Sequence, residues 1–192
     1  MQPLLAIFVG GKSRRMGRHK GLLFVPGGSG PILEELLRVG RAVGLDPVLV
    51  GDATPYQDLA EGVICVEDDP PGAGPLAGLQ AALRRASSTG RSHVIAIACD
   101  MPYVTAEALE QVRDHQSEAA VVAPRRGPDA PWEPMLARYD VVRLADVLAN
   151  AISGGQRSFQ KLFASIEVEP LPLTPTVERA LEDWDTPDDI AR

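Results

Sequence analysis

The sequence predicts an α/β fold in three layers, α/β/α, with a mostly parallel central sheet. Three observations support this. Short, continuous apolar runs recur along the chain, as strands buried on both faces do. Segments of helical periodicity separate them, so βαβ units with right-handed crossovers follow. The polar and glycine-rich motifs fall directly after the apolar runs, at the carboxyl ends of strands, where open α/β sheets place their ligands.

The first strand is expected over residues 4–9, which are apolar up to Gly10-Gly11. Further strands are expected over 47–50, 63–66, 93–99 and 119–123, with a weaker one over 166–168. The first helix puts Ile32, Leu33, Leu36, Leu37 and Val43 near one face and Glu34, Glu35, Arg38 and Arg41 elsewhere. A second helix covers 76–86, rich in Leu and Ala after a Gly-Pro start. A third runs from Thr105, whose side chain can accept from the backbone near Glu107 and Ala108, to about Gln116. Residues 140–151 and 158–164 are two more helices. Gly27-Gly28-Ser29-Gly30 reads as a flexible turn and residues 125–131 as a polar loop. The strand–helix rhythm crosses both, so residues 1–192 are expected to form one domain, as the length of 192 residues also suggests.

Composition narrows the function. The chain is 45% hydrophobic and 23% charged, which argues against disorder. Aromatics make up 5%, so Leu, Val, Ile and Ala must fill the core. The net charge is −7, the wrong sign for a nucleic-acid binder or an anionic-membrane binder. No apolar stretch reaches the roughly 18 residues of a membrane span. No basic region precedes the first apolar run, so a signal peptide is not expected and cytoplasmic residence follows. Cys65 and Cys99 each sit in an apolar run and read as buried, reduced thiols. His19, His93 and His115 have no ligand spacing, and no Ser-His-Asp or Cys-His pairing is visible, which disfavours covalent catalysis.

The most informative segment is Gly10-Gly11-Lys12-Ser13-Arg14-Arg15-Met16-Gly17-Arg18-His19-Lys20. Glycines let backbone N–H groups approach an anion closely, and Ser13 can donate a hydroxyl. Arg15 and Lys20 can neutralise phosphate charge, the first as a fork and the second as a point charge. Five basic side chains within nine residues of an acidic protein read as a polyphosphate cradle. The spacing is neither a Walker A loop nor a dinucleotide fingerprint. It resembles the signature loop of small nucleotidyltransferases, above all the molybdenum cofactor guanylyltransferases. That resemblance extends over nearly the whole chain through three later motifs. It implies a Rossmann-like domain that uses magnesium to transfer a nucleoside monophosphate from a triphosphate. In the nearest branch, GTP and molybdopterin become the guanine dinucleotide cofactor and pyrophosphate.

The first later motif is Glu67-Asp68-Asp69-Pro70-Pro71-Gly72-Ala73-Gly74-Pro75-Leu76-Ala77-Gly78. Its prolines and glycines fix a rigid loop leading into a helix, and Gly74, Ala77 and Gly78 leave room for a flat base. The resemblance places this segment beside the nucleotide, with Asp68 matching the family's nucleotide-contacting acid. The second is Ala98-Cys99-Asp100-Met101-Pro102, which ends the most apolar strand. A carboxylate there suits magnesium, which often takes one or two carboxylates and leaves the rest of its shell to phosphate and water; Asp100 is the expected metal ligand. The third is Asp183-Trp184-Asp185-Thr186-Pro187, with Thr186 as N-cap and Pro187 opening a helix; its Asp-x-Asp-Thr-Pro pattern resembles related cytidylyltransferases and sugar-phosphate nucleotidyltransferases, and that resemblance makes Asp185 a candidate second metal contact. Trp132, Met135 and Arg157 resemble acceptor-side positions of the family; core packing explains Trp132 and Met135 equally, and a surface Arg is the simpler account of Arg157.

The resulting expectation gives Arg15, Lys20 and Asp100 catalytic roles. Base and phosphates would be held by Phe8, Val9, Gly10, Gly11, Ser13, Gly51, Asp68 and Gly78 as well. A phosphate monoester acceptor is already ionised at neutral pH, so positioning and electrostatics would carry the catalysis. The expected substrates are GTP and molybdopterin, with transient contact to cofactor-biosynthesis or acceptor enzymes. Departures from the family pattern bear on the base: Gly51 stands where some relatives have Asn, His19 where Asp is frequent, and Asp183 and Asp185 where Asn is common. Molybdopterin cytidylyltransferase is therefore one alternative. Another is a sugar-phosphate nucleotidyltransferase, which usually needs a longer chain. A non-catalytic nucleotide-binding module is the third, disfavoured because Asp68 and Asp100 are both present.

Overall fold

In the computed structural model, which describes residues 2–10, 19–25 and 30–184, one sheet of seven strands carries the architecture. The strands are β1 (Leu4–Phe8), β2 (Asp46–Val50), β3 (Ile64–Val66), β4 (His93–Ala98), β5 (Val121–Pro124), β6 (Ala137–Asp140) and β7 (Val168–Leu171), in the order β3-β2-β1-β4-β6-β5-β7. β1 to β4 pair in parallel, as do β5 and β7; β6 runs antiparallel to both β4 and β5. This is the mostly parallel three-layer fold that the sequence predicts.

The pleat explains the apolar runs. Leu5 and Ile7 of β1 face one layer and Leu4, Ala6 and Phe8 the other, and all five are buried. The first layer holds α1 (Ile32–Ala42), α3 (Ala106–Asp114) and α6 (Pro175–Ala180); the second holds α2 (Pro75–Ser88), α4 (Val141–Ser153) and α5 (Phe159–Phe163). Each fully buried Leu or Ile in such a strand contributes about 1.5–3 kcal/mol, so two-sided burial stabilises the central strands most.

Two elements escape the sequence reading. β6 is four residues, Ala-Arg-Tyr-Asp, and its Arg138 looks wrong for a buried strand. Arg138 is nevertheless buried, and its guanidinium donates to the carbonyls of Arg113 at 3.1 Å and His115 at 2.5 Å. It thus satisfies acceptors left open at the C-terminal end of α3, where a cation is favoured. Burial holds its pKa below the ordinary arginine value. α6 is a short helix capped by Thr174, whose hydroxyl accepts from the Val177 amide at 3.2 Å. The last strand lies over Val168–Leu171 rather than 166–168. The helix from 140 begins one residue later, because Asp140 is its N-cap. The turn at 27–29 and the helix expected after Thr186 lie outside the described residues.

Cys99 is buried as expected, but Cys65 is exposed. β3 is an edge strand of three residues, and both Ile64 and Cys65 face solvent.

Candidate functional site

From β1 the chain crosses to β2 on one side of the sheet, while β4 lies on the other, so a crevice opens at the carboxyl ends of these strands. Backbone hydrogen bonds lock its floor. The Val9 amide donates to the Val50 carbonyl at 2.9 Å, the Gly51 amide to Val66 at 2.9 Å, and the Cys99 amide to Phe8 at 3.0 Å. Gly51 has φ +102°, and a Cβ there would lie 3.0 Å from the Gly10 nitrogen and Cα. Only glycine allows these two loops to touch. Gly78, in the first turn of α2, meets a similar limit: its Cβ would lie 2.9 Å from both Phe8 Cε1 and Val50 Cγ1, and 3.1 Å from Asp68 Oδ1. Phe8, Val9, Gly10, Gly51, Asp68 and Gly78 therefore form one neighbourhood.

Lys20 and Asp100 meet across the crevice. Lys20 opens a 3₁₀ turn at Lys20–Leu22, and Asp100 lies two residues beyond β4. Lys20 Nζ donates to Asp100 Oδ2 at 2.9 Å, and both side chains are largely sheltered, 14% and 21% exposed. The Trp184 amide donates to the Asp100 carbonyl at 3.0 Å, so the C-terminal Asp183–Trp184 segment is tied to the strand end carrying the acid. Gly11, Ser13, Arg15 and Asp185 lie outside the described residues.

Among the described residues, no three His, Cys, Asp or Glu side chains gather as a closed metal cage. The donor chemistry at Asp100 fits magnesium, which takes one or two hard carboxylate oxygens and leaves the rest of its shell to phosphate and water. Cys99 precedes Asp100, and burial, with the charge of Asp100, pushes its thiol up to about 11. A thiol held protonated is a poor nucleophile at neutral pH.

On the β2–β3 side, a cleft of about 380 Å³ is lined by Gly51, Asp52, Thr54, Gln57, Glu67 and Asp68, among others. Asp52 Oδ1 accepts from the Thr54 amide at 3.0 Å, and contacts with Thr54 hold its carboxyl below the usual range. Burial pushes the Asp68 carboxyl up. Three carboxylates around one cleft present acceptors to a base edge rich in N–H groups. Asp52 and Gln57 escape sequence reasoning because polar residues between short strands look like ordinary loop, whereas Glu67 opens the motif that the resemblance places beside the nucleotide.

The acceptor-side candidates are also placed. Arg125 lies over the Trp132 ring at 4.9 Å, and Gln160 clasps the Trp132 backbone, accepting from its amide at 3.1 Å and donating to its carbonyl at 2.6 Å. Met135 packs between both cores, a core-packing role. Arg157 reaches the other way, donating to the Gly72 carbonyl at 3.3 Å beside the entry to α2. A second cleft, about 520 Å³, lies between Tyr103, Arg126, Arg179, Asp183 and Trp184.

Residues 5–168 match the family model described as the MobA-like NTP transferase domain. The chain is 31% identical to a probable molybdenum cofactor guanylyltransferase of Opitutus terrae, over 97% of this chain and 92% of that one. It is 33% identical to one from Mycobacterium tuberculosis over 81% of this chain and 76% of the relative. Among solved structures, molybdopterin-guanine dinucleotide biosynthesis protein A from Archaeoglobus fulgidus superposes with a TM-score of 0.75 at 26% identity, covering 97% and 94% of the two chains. A 2-C-methyl-D-erythritol 4-phosphate cytidylyltransferase from Thermus thermophilus shares the fold, with a TM-score of 0.67 at 19% identity over 100% and 96% of the two chains.

Proposed function

The chain belongs to the MobA-like NTP transferase family and is a nucleotidyltransferase, and from that premise we propose that it transfers GMP from GTP to molybdopterin, releasing pyrophosphate. The observation that carries this reading is the Lys20–Asp100 pair, with its 2.9 Å contact at the crest between β1 and β4, beside the acidic cleft. The names borne by relatives over most of the chain supply the two substrates.

In this reading the guanine enters the 380 Å³ cleft, with its N–H edge toward the carboxylates of Asp52, Glu67 and Asp68. Phe8, Val9 and Gly10 line the ribose side, and the Gly51 and Gly78 backbones leave room for the base and sugar. Gly11, Ser13, Arg15 and Lys20 hold the triphosphate through amides, a hydroxyl and two cations. The acceptor's phosphate oxygen bonds to the α-phosphorus as the bond from that phosphorus to the β-phosphate oxygen breaks, and the electron pair leaves with pyrophosphate. Arg15 and Lys20 neutralise the charge that grows on the departing group. Asp100, with Asp185 as the second candidate, would hold Mg²⁺, which when bound supplies Lewis-acid stabilisation of the phosphate oxygens. Trp132 and Arg157 border the acceptor. One domain of residues 1–192, resident in the cytoplasm and in transient contact with the enzymes that make or receive the cofactor, completes the proposal.

The test is incubation with molybdopterin, magnesium and each of GTP, CTP, ATP and UTP in turn, followed by mass measurement. A guanine dinucleotide product is expected; a cytosine product would replace the base assignment. The Asp100→Ala variant is expected to lose about two to three orders of magnitude in turnover, the scale of removing a main electrostatic group, with its melting profile still cooperative. Wild-type turnover in that variant would remove Asp100 from the chemistry.

A further inference from the structure

One aromatic side chain touches the segments that carry both Lys20 and Asp100. Tyr56 is 2% exposed and lies at the end of a 3₁₀ turn at Thr54–Tyr56, the connector that also lines the acidic cleft. Its hydroxyl lies 3.8 Å from the Cys99 sulfur, one residue before Asp100. Its ring meets the His19 ring edge-on, centroids 5.9 Å apart, one residue before Lys20. On the other side of Lys20, a Cβ added to Gly21 would lie 2.8 Å from Tyr56 Cε1 and 3.4 Å from Cys99 Cβ.

Tyr56 is itself firmly held. The Asp52 carboxylate accepts from Thr54, the Tyr56 amide donates to Ala53 at 2.9 Å, and the Tyr56 carbonyl accepts from Leu59 and Ala60, each at 3.0 Å. We propose that Tyr56 is a positioning residue: wedged between the Lys20 turn and the end of β4, it sets the separation of the Lys20 ammonium and the Asp100 carboxylate. It touches neither reacting group. Because its turn also lines the cleft, it ties base occupancy to the geometry of the phosphate end. A long lysine side chain has much rotamer freedom to lose, and a rigid backbone anchor beside it reduces that loss at the moment of reaction. This inference deepens the proposed GMP transfer and takes its kinetic meaning from that reading.

The test uses Tyr56→Phe, Tyr56→Leu, Gly21→Ala and the Tyr56→Leu/Gly21→Ala pair, with Leu148→Ala as a control for lost stability. Leu148 is fully buried in the opposite core. Phe keeps the ring and is expected to stay within about threefold of wild-type kcat. Leu is expected to lower kcat by tenfold or more at temperatures well below its melting point, with KM for GTP changing less. Gly21→Ala reaches the same contact from the other side, and the double variant should fall well short of the product of the two single losses. Leu148→Ala should melt earlier and keep its kcat. Equal kcat losses in Leu148→Ala and Tyr56→Leu, or independent effects in the double variant, would overturn the proposal. A crystal structure of Tyr56→Leu gives a readout free of substrate: an unchanged 2.9 Å Lys20–Asp100 contact would overturn it too. Should Tyr56→Leu not fold, Gly21→Ala alone decides in the same assays. Failure of the wild-type chain to make any dinucleotide counts against the substrate assignment, while the crystal structure still tests the positioning claim.

Discussion

At the scale of single residues, Asp68 is a cleft carboxylate whose partial burial works against its charge. That burial pushes its carboxyl up. A raised folded-state pKa means that the folded chain binds the proton more tightly than the unfolded chain. The associated stability is present at acid pH and is lost as pH rises through the folded-state value. Asp68→Asn cannot ionise, so it should melt at a higher temperature than wild type at pH 7. That advantage should shrink as pH falls through the raised folded-state value and be gone below about 4, where the unfolded aspartate is also protonated. The same variant should bind GTP more weakly, since it removes a charged acceptor from the cleft. A melting difference independent of pH would show that desolvation of this carboxylate is not what the substitution relieves. Asp68 was legible in the sequence through the motif ending at Gly78. The reason for Gly78 was not, because the limit on its size comes from Phe8 and Val50, on two other strands.

At the scale of elements, legibility follows how much of an element's pattern is local. β1 and β4 are buried on both faces, so unbroken apolar runs announce them. α1 carries its apolar face at helical spacing and buries Ile32, Leu33, Leu36 and Leu37 as that spacing predicts. β6 is stabilised from afar: Arg138 looks polar in sequence and is explained only by the α3 carbonyls it satisfies. The entry to β6 is equally non-local, with Leu136 at φ +62° and its amide donating to the Ala96 carbonyl at 2.6 Å. Immediately after β6, Asp140 starts α4, accepting through Oδ1 from the amides of Val142 at 2.9 Å and Arg143 at 2.7 Å. Asp140→Ala should cost about 1 kcal/mol of stability, the typical worth of an N-cap. Turnover should not change, because α4 packs behind the sheet and away from the Lys20–Asp100 crest. A fall in kcat at unchanged melting temperature would mean that α4 reaches the site.

At the scale of the whole molecule, the site straddles the point where the sheet reverses its direction of growth. The acidic cleft belongs to β2 and β3, Asp100 to β4, and Lys20 to the segment after β1. In the proposed site no one element would hold both ends of the nucleotide, so ligand binding should brace several elements against one another. A ligand that binds the folded chain alone adds about 2.7 kcal/mol at a hundredfold excess over Kd. For a chain of this size that corresponds to roughly 5–10 °C in melting temperature. GTP with Mg²⁺ should give a shift of that order and CTP a smaller one, because the cleft's carboxylates complement guanine's N1–H and N2–H₂ edge better than a pyrimidine's. Lys20→Ala should lose most of the GTP shift by removing a cation from the triphosphate. Chelating the divalent ion should reduce the shift in wild type and make little difference in Asp100→Ala, if that carboxylate is where the ion is held. An equal chelator response in the two proteins would separate the metal from Asp100 while leaving the base cleft and its acids in place. A CTP shift exceeding that of GTP would instead turn the argument on the cleft, and with it the identity of the nucleotide, toward cytosine.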